Sequence, residues 1–320
     1  MAAPQESNSK LEIHKQPAPC APPPKYHVAF ADSDAEIVIA SSEETLYRMH
    51  AYTLRTTSGL FKTLLSLPPP PGGHSAEPIT VHEPDAVVEP LLRLMCGLTT
   101  SPWTSLDQLS AVFALAQNWD APGPIAHLRP ALTSHKFLAT GPLRVYTLTS
   151  HFGFRPEMQL ASTHTLSLNL FDPAHADVLA SMPSTAALPL LRLHRRRRDA
   201  LRDMLDSPER FLAGNGQPFH CSACAITPLE NRTWRALKHR ILRELDVCAS
   251  GDTLRDGMWG PGGMGTWAEA KACWAAVCVK PECAAANYDR VATIKQIRAC
   301  LEGLSARVEV DWLREEGDAN

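Results

Sequence analysis

The sequence lacks most of the features that would announce a function directly. No apolar run approaches the ~20 residues that span a bilayer. The opening residues, MAAPQESNSKLEIHKQ, lack the apolar core of a secretory signal. The expectation is therefore an intracellular protein, in cytoplasm or nucleus, whose thiols are free or metal-bound rather than paired in disulfides. Charge of one sign is scarce: 31 Lys and Arg against 34 Asp and Glu give a formal net charge of −3, too little to draw nucleic acid or an acidic membrane surface. No repeat of fixed period is present. No nucleophile elbow or paired-carboxylate motif organises the scattered Ser, His and Asp residues, so no enzymatic activity is expected. Cysteine is scarce until late in the chain, and seven of the nine fall between Cys221 and Cys300.

Proline is abundant, 27 in 320 residues or about 8 %, above the usual ~5 %. It clusters in a tail, residues 1–27, that reads as disordered, and in Pro68–Pro71, which with Gly72 and Gly73 reads as a surface loop. Order begins near Phe30. Glu36–Ala40 reads as a buried strand, Ser41–Glu44 as a turn and Thr45–Arg48 as a second strand, which together make a hairpin. Met49–Arg55 and Gly59–Ser66 have helical spacing, with Ser58 as the cap between them. Pro78–Val81 is a short strand whose proline suits an edge. Helices are predicted from Pro84 to Gly97, after the capping pattern Ser105–Gln108, and over 125–132, 142–151, 156–167 and 188–204. Residues 214–218 read as a linker. Thr227–Glu230 is a second capping box, predicted to open a helix carrying Trp234, Leu237, Ile241 and Leu245. Residues 250–265 read as a loop, and 267–278 and 292–304 as helices.

Asp34–Ile39, Arg48–Ala51, Leu54, Ser58, Phe61 and Leu65 stand in an order and spacing that resemble the BTB/POZ fold, and Pro142–Tyr146 and Leu193–Arg198 resemble its fungal class. The resemblance covers about 180 residues. It implies an α+β architecture: a small sheet with covering helices over residues 28–133, an all-α, BACK-like region over 134–212 and a Cys-rich helical extension over 213–320. It also implies a non-enzymatic module for self-association and partner docking. The chain departs from the family in three places. The tail before Phe30 shows no clear amphipathic helix, which removes a typical piece of the dimer interface. Ala51 follows His50 where family dimers often place a base to answer the acid at Glu36, so that pocket is expected to be altered or solvated. Leu65–Pro71 stands where cullin-binding members carry an apolar-x-Glu motif, so the implied partners are other proteins and a second copy of the chain, without cullin docking.

The residues that carry chemistry lie late in the chain. Cys221-Ser-Ala-Cys224 has the spacing that lets two thiolates meet one zinc ion, and Cys278 with Cys283 supplies a second pair across a four-residue gap. The intervening 53 residues exceed the span of most compact zinc ribbons. His220, Cys248 and Cys273 are alternative ligands, and unliganded, partly buried thiols are the plain alternative. Gly260–Gly265 matches a dinucleotide-binding glycine pattern, but no strand precedes it, so it reads as a loop and no cofactor is expected. His194–Arg198 is a basic run inside a helix. It reads as a solvated face, or, together with a zinc-held C-terminus, as the nucleic-acid contact of a nuclear regulator. His50 reads as a structural residue in a strand-to-helix corner, and Leu54, Leu60, Phe61 and Leu64 as core.

Overall fold

The computed structural model describes residues 25–68, 77–216, 219–255 and 258–309. Most of the proline-rich tail, the loop from Pro69 to Gly73 and the end of the 214–218 linker lie outside them. The fold is α+β: a small sheet near the N-terminus, then helices. No helix among the described residues is long and apolar enough to cross a membrane.

The chain divides into two compact units. One runs from the first described residues to Pro102 and includes Ala111–Ile125; the other comprises Trp103–Ser110 and the chain from Ala126 onward. In the first unit β1 (Ile37–Ala40) pairs antiparallel with β2 (Leu46–Met49), with Ile37 opposite Met49 and Ala40 opposite Leu46. This is the predicted hairpin. Helices α1 (Ala51–Thr57) and α2 (Gly59–Leu64) follow. Ser58 separates them, its hydroxyl accepting from the Phe61 amide while donating to the Trp119 carbonyl. Gly59 fits because a side chain there would strike Asp120: a Cβ would come within 1.9 Å of the Asp120 carboxylate. β3 (Ile79–Thr80) joins β1 in parallel and forms an edge, as its proline flank suggested. α3 (Asp85–Met95) buries Val87, Val88, Leu91, Leu92 and Met95 on one face, and α4 (Leu106–Asn118), whose first residues belong to the second unit, follows.

Leu54 and Phe61 are core as expected, with Phe61 meeting the Trp119 ring edge-on at 5.0 Å. Leu60 and Leu64 are not: α2 has room for one buried stripe, and these two, four residues apart, lie on its outer face. Glu36 is solvent-exposed, so the missing base costs nothing. Its carboxylate accepts from the Ala51 amide at 2.9 Å and lies 3.7 Å from His50, which also reaches Asp32.

The second unit is helical: α5 (Pro122–Leu132, shared with the first unit), α6 (His135–Thr140), α7 (Pro142–His151), α8 (Arg155–Thr165), α9 (Ala176–Ser181), α10 (Ser184–Asp206), α11 (Leu212–Asn215), α12 (Arg232–Val247), α13 (Ala268–Ala275) and α14 (Arg290–Glu302). α7 and α8 pack closely against each other. α10 begins four residues before the predicted start and carries Pro189 within its second turn. α12 presents Trp234, Leu237, Ile241 and Leu245 to a core shared with Leu201 and Leu205 of α10, Trp267 at the start of α13 and Cys273 within it, and Ile297 and Leu301 of α14. Burying such a side chain stabilises by roughly 1.5–3 kcal/mol.

Candidate metal centre

Two short hairpins border this core, one before α12 and one after α13 in the sequence. In the first, the Cys221 amide donates to the Thr227 carbonyl and the Leu229 amide to that of Phe219, so residues 219–221 run antiparallel to 227–229. Thr227 and Pro228 are therefore engaged in a hairpin rather than opening a helix. α12 starts later, at Arg232, which corrects the capping-box expectation. In the second hairpin the Cys278 amide donates to Ala285 and the Asn287 amide to Ala276. The helix predicted to reach Cys278 accordingly stops at Ala275. The two hairpins share a backbone device. Ala225 and Ala284, each directly after the second cysteine of its pair, take left-handed conformations with φ of 54° and 44°. Such a conformation costs an alanine about 1–2 kcal/mol and persists only where its surroundings impose it. Phe219 and Tyr288, one flanking each hairpin, stack at 6.3 Å.

These turns bring the Sγ atoms of Cys221, Cys224, Cys278 and Cys283 within 4.8 Å of one another. Cys221 lies 3.6 Å from Cys283, and Cys224 lies 3.9 Å from Cys278. Both distances exceed the ~2.05 Å of a disulfide. They match the edge of about 3.8 Å that four sulfurs make around one ion at the ~2.3 Å zinc–sulfur distance. Cys221 and Cys278 are buried, and the other two are half-buried. The site fits a single thiophilic ion in the residues it supplies, all sulfur with no carboxylate in the cluster.

The electrostatics are those of a site prepared for anionic sulfur. The Cys224 and Ala223 amides hold the Cys221 thiol below its usual range. The Thr227 hydroxyl, 3.3 Å away, and the Ile226 and Thr227 amides bring Cys224 down to about 6. At Cys283 the Ala285 amide acts in the same direction, but the sulfurs of Cys221, Cys278 and Cys224, together with burial, push the thiol up to about 11. Four neighbouring sulfurs therefore resist joint ionisation until a cation balances them.

The alternative ligands lie elsewhere. His220 is exposed and outside the cluster; Cys248 pairs its sulfur with the Ser250 hydroxyl at 3.0 Å; Cys273 is enclosed in the core, where burial drives its thiol up to about 12. Cys300 contacts Arg210. The glycine pattern at 260–265 contains a short helical turn, Met264–Thr266, and among the described residues turns and no strand precede it, in keeping with a loop.

The basic run has internal partners. Arg195 pairs with Asp199, Arg196 with Glu309, and Arg198 with Asp246. Arg197, 4 % exposed, donates to the carbonyls of Ala249, Leu304 and Ser305 and so ties three segments together. Sequence reasoning did not single out Arg197 within the run. The signal available was its helical phase, since it falls four residues after Leu193 and four before Leu201, both buried. No family model matches the chain, and no curated protein matches it.

Proposed function

We propose that this chain is a non-enzymatic protein–protein interaction protein, with a BTB/POZ-like N-terminal module for self-association and partner docking and a C-terminal region held by a structural zinc ion inside the cell. The four-sulfur cluster carries the metal reading. Four protein ligands at tetrahedral spacing leave no position for water or substrate, so the ion would act in folding and not in catalysis. Zinc supplies the positive charge that lets four thiolates share one site. Cys221 and Cys224 hold it from one hairpin, Cys278 and Cys283 from the other, and the backbone amides orient the sulfurs.

The interaction reading draws support from the order of elements in the first unit: a hairpin, the α1–α2 pair, a parallel edge strand and α3. Tyr52, Leu60 and Leu64 also leave apolar side chains exposed on the α1–α2 pair. Association would remove that surface from water, a favourable and non-directional term. The alternative, a nuclear regulator contacting nucleic acid through Arg195–Arg198, is disfavoured because those guanidinium groups already have partners within the chain.

The test is light scattering across a concentration series, with metal analysis of the same sample. The expected result is a mass rising above the 35.0 kDa of one chain, with one zinc per chain that is lost on Cys221→Ser with Cys224→Ser. A monomer at every concentration that recovers no partner from its own cell extract would overturn the interaction reading. Absence of metal from protein purified without chelator would overturn the zinc reading.

A further inference from the structure

We propose that the outer face of α14, together with Trp259, is a docking groove for an acidic, amphipathic peptide segment of a partner protein. The groove encloses about 650 Å³. Its apolar floor is Trp259, 59 % exposed, with Val291, 76 % exposed, and Ile294. The indole is held in place. Gly265 lies against it so closely that a Cβ there would come 2.4 Å from the ring, and the Arg290 guanidinium lies 4.8 Å from its centroid. Arg290, Ile294 and Arg298 repeat every four residues, as do Val291 and Lys295, so they share one side of the helix.

The charges around this floor have no carboxylate partner among the described residues. Arg195, Arg196, Arg198, Arg202, Arg240 and Arg255 of the same unit all pair with a carboxylate. Among the described residues no carboxylate pairs with Arg290, Lys295 or Arg298; Arg298 instead donates to the Arg255 carbonyl at 3.1 Å. Among the described residues Glu302, at one end, is the only acid lining the groove. An exposed Trp and Arg beside aliphatic side chains have the composition of an interface centre, and three cations with no carboxylate partner among the described residues select the sign of what binds. A strand of nucleic acid is less suited, because the floor is aliphatic as well as aromatic and Glu302 would repel phosphate.

The experiment titrates the full chain, by fluorescence anisotropy, into a labelled peptide of about twelve residues that alternates Glu and Leu around a central Trp. A Lys-for-Glu peptide and a labelled oligo-dT of similar length serve as comparisons. The acidic peptide is expected to bind saturably and more weakly as salt rises. Arg290→Glu with Lys295→Glu should weaken it at least ~10-fold, and Val291→Asp by a similar factor, with circular dichroism unchanged because all three positions are exposed. Glu302→Gln should tighten binding about 2- to 3-fold. No saturable binding, equal binding of the Lys peptide, or binding of the oligonucleotide alone would overturn the proposal. So would peptide binding seen only after Trp312→Ser with Leu313→Ser, which would assign the groove to the chain's own end. Loss of self-association in Val291→Asp without peptide binding would assign it to a second copy, with the same consequence.

Discussion

His194 sits where burial, and then the neighbouring Arg197 guanidinium, disfavour its protonated form and bring it down to about 4. In the unfolded chain it titrates near 6.5. Above that value both states are neutral and pH has no effect through this residue. Between 6.5 and 4 the unfolded state binds the proton and the folded state does not, so stability falls as pH falls. The loss is about 2–3 kcal/mol by pH 4. Urea unfolding of His194→Gln measured beside the wild type should show a difference that changes across this window and is level above pH 7. Because the cysteine site titrates in both proteins, the difference isolates His194. Arg197, one turn on, illustrates the same physics with a fixed charge. A guanidinium cannot shed its proton, so burial is tolerable only because the carbonyls of Ala249, Ser250, Leu304 and Ser305 receive it.

At the scale of elements, the two hairpins carry a strain that can be relieved. Replacing Ala225 or Ala284 by Gly removes the left-handed penalty at the cost of a more flexible unfolded chain. Each substitution should stabilise the metal-loaded protein by ~0.5–1 kcal/mol, read as a higher thermal midpoint, whereas Ala→Gly at exposed Ala299 within α14 should destabilise by a similar amount. These hairpins also mark where the sequence became hard to read. The cysteine pairs were legible because ligand spacing is local. The extent of their turns was not, because Thr227–Glu230 satisfies a helix-capping pattern just as well and the pairing that wins, with Phe219–Cys221, is invisible in a local window. The 267–278 helix was overextended for the same reason. The β1–β2 hairpin, α7 and α8 were legible because their periodicity is strong. α6 was passed over because six residues with two buried side chains, Phe137 and Leu138, show no period. Leu60 and Leu64 share an apolar stripe with Phe61 and Leu65 at helical spacing, and spacing alone does not tell which edge of that stripe meets the core.

For the whole molecule, the metal would close a loop of about 55 residues between the hairpins. A cross-link of that span contributes about 4 kcal/mol by chain entropy alone. Chelation should therefore act on one of the two units. Calorimetry with and without a strong chelator is expected to lower the transition of the second unit by tens of degrees or abolish it, leaving the transition of the first unit in place. A uniform shift of both transitions, or none, would contradict a metal that serves the second unit alone.

The distance along the chain between the two cysteine pairs also has a consequence in time. At ~5–20 residues per second of translation, the ribosome needs about 3–12 s to proceed from Cys224 to Cys283. Throughout that interval the nascent polypeptide offers only half a coordination sphere. Two bare thiols on an unfinished product are open to oxidation or to capture by a foreign cation, so the yield of correctly loaded molecules should depend on how quickly synthesis delivers the second pair.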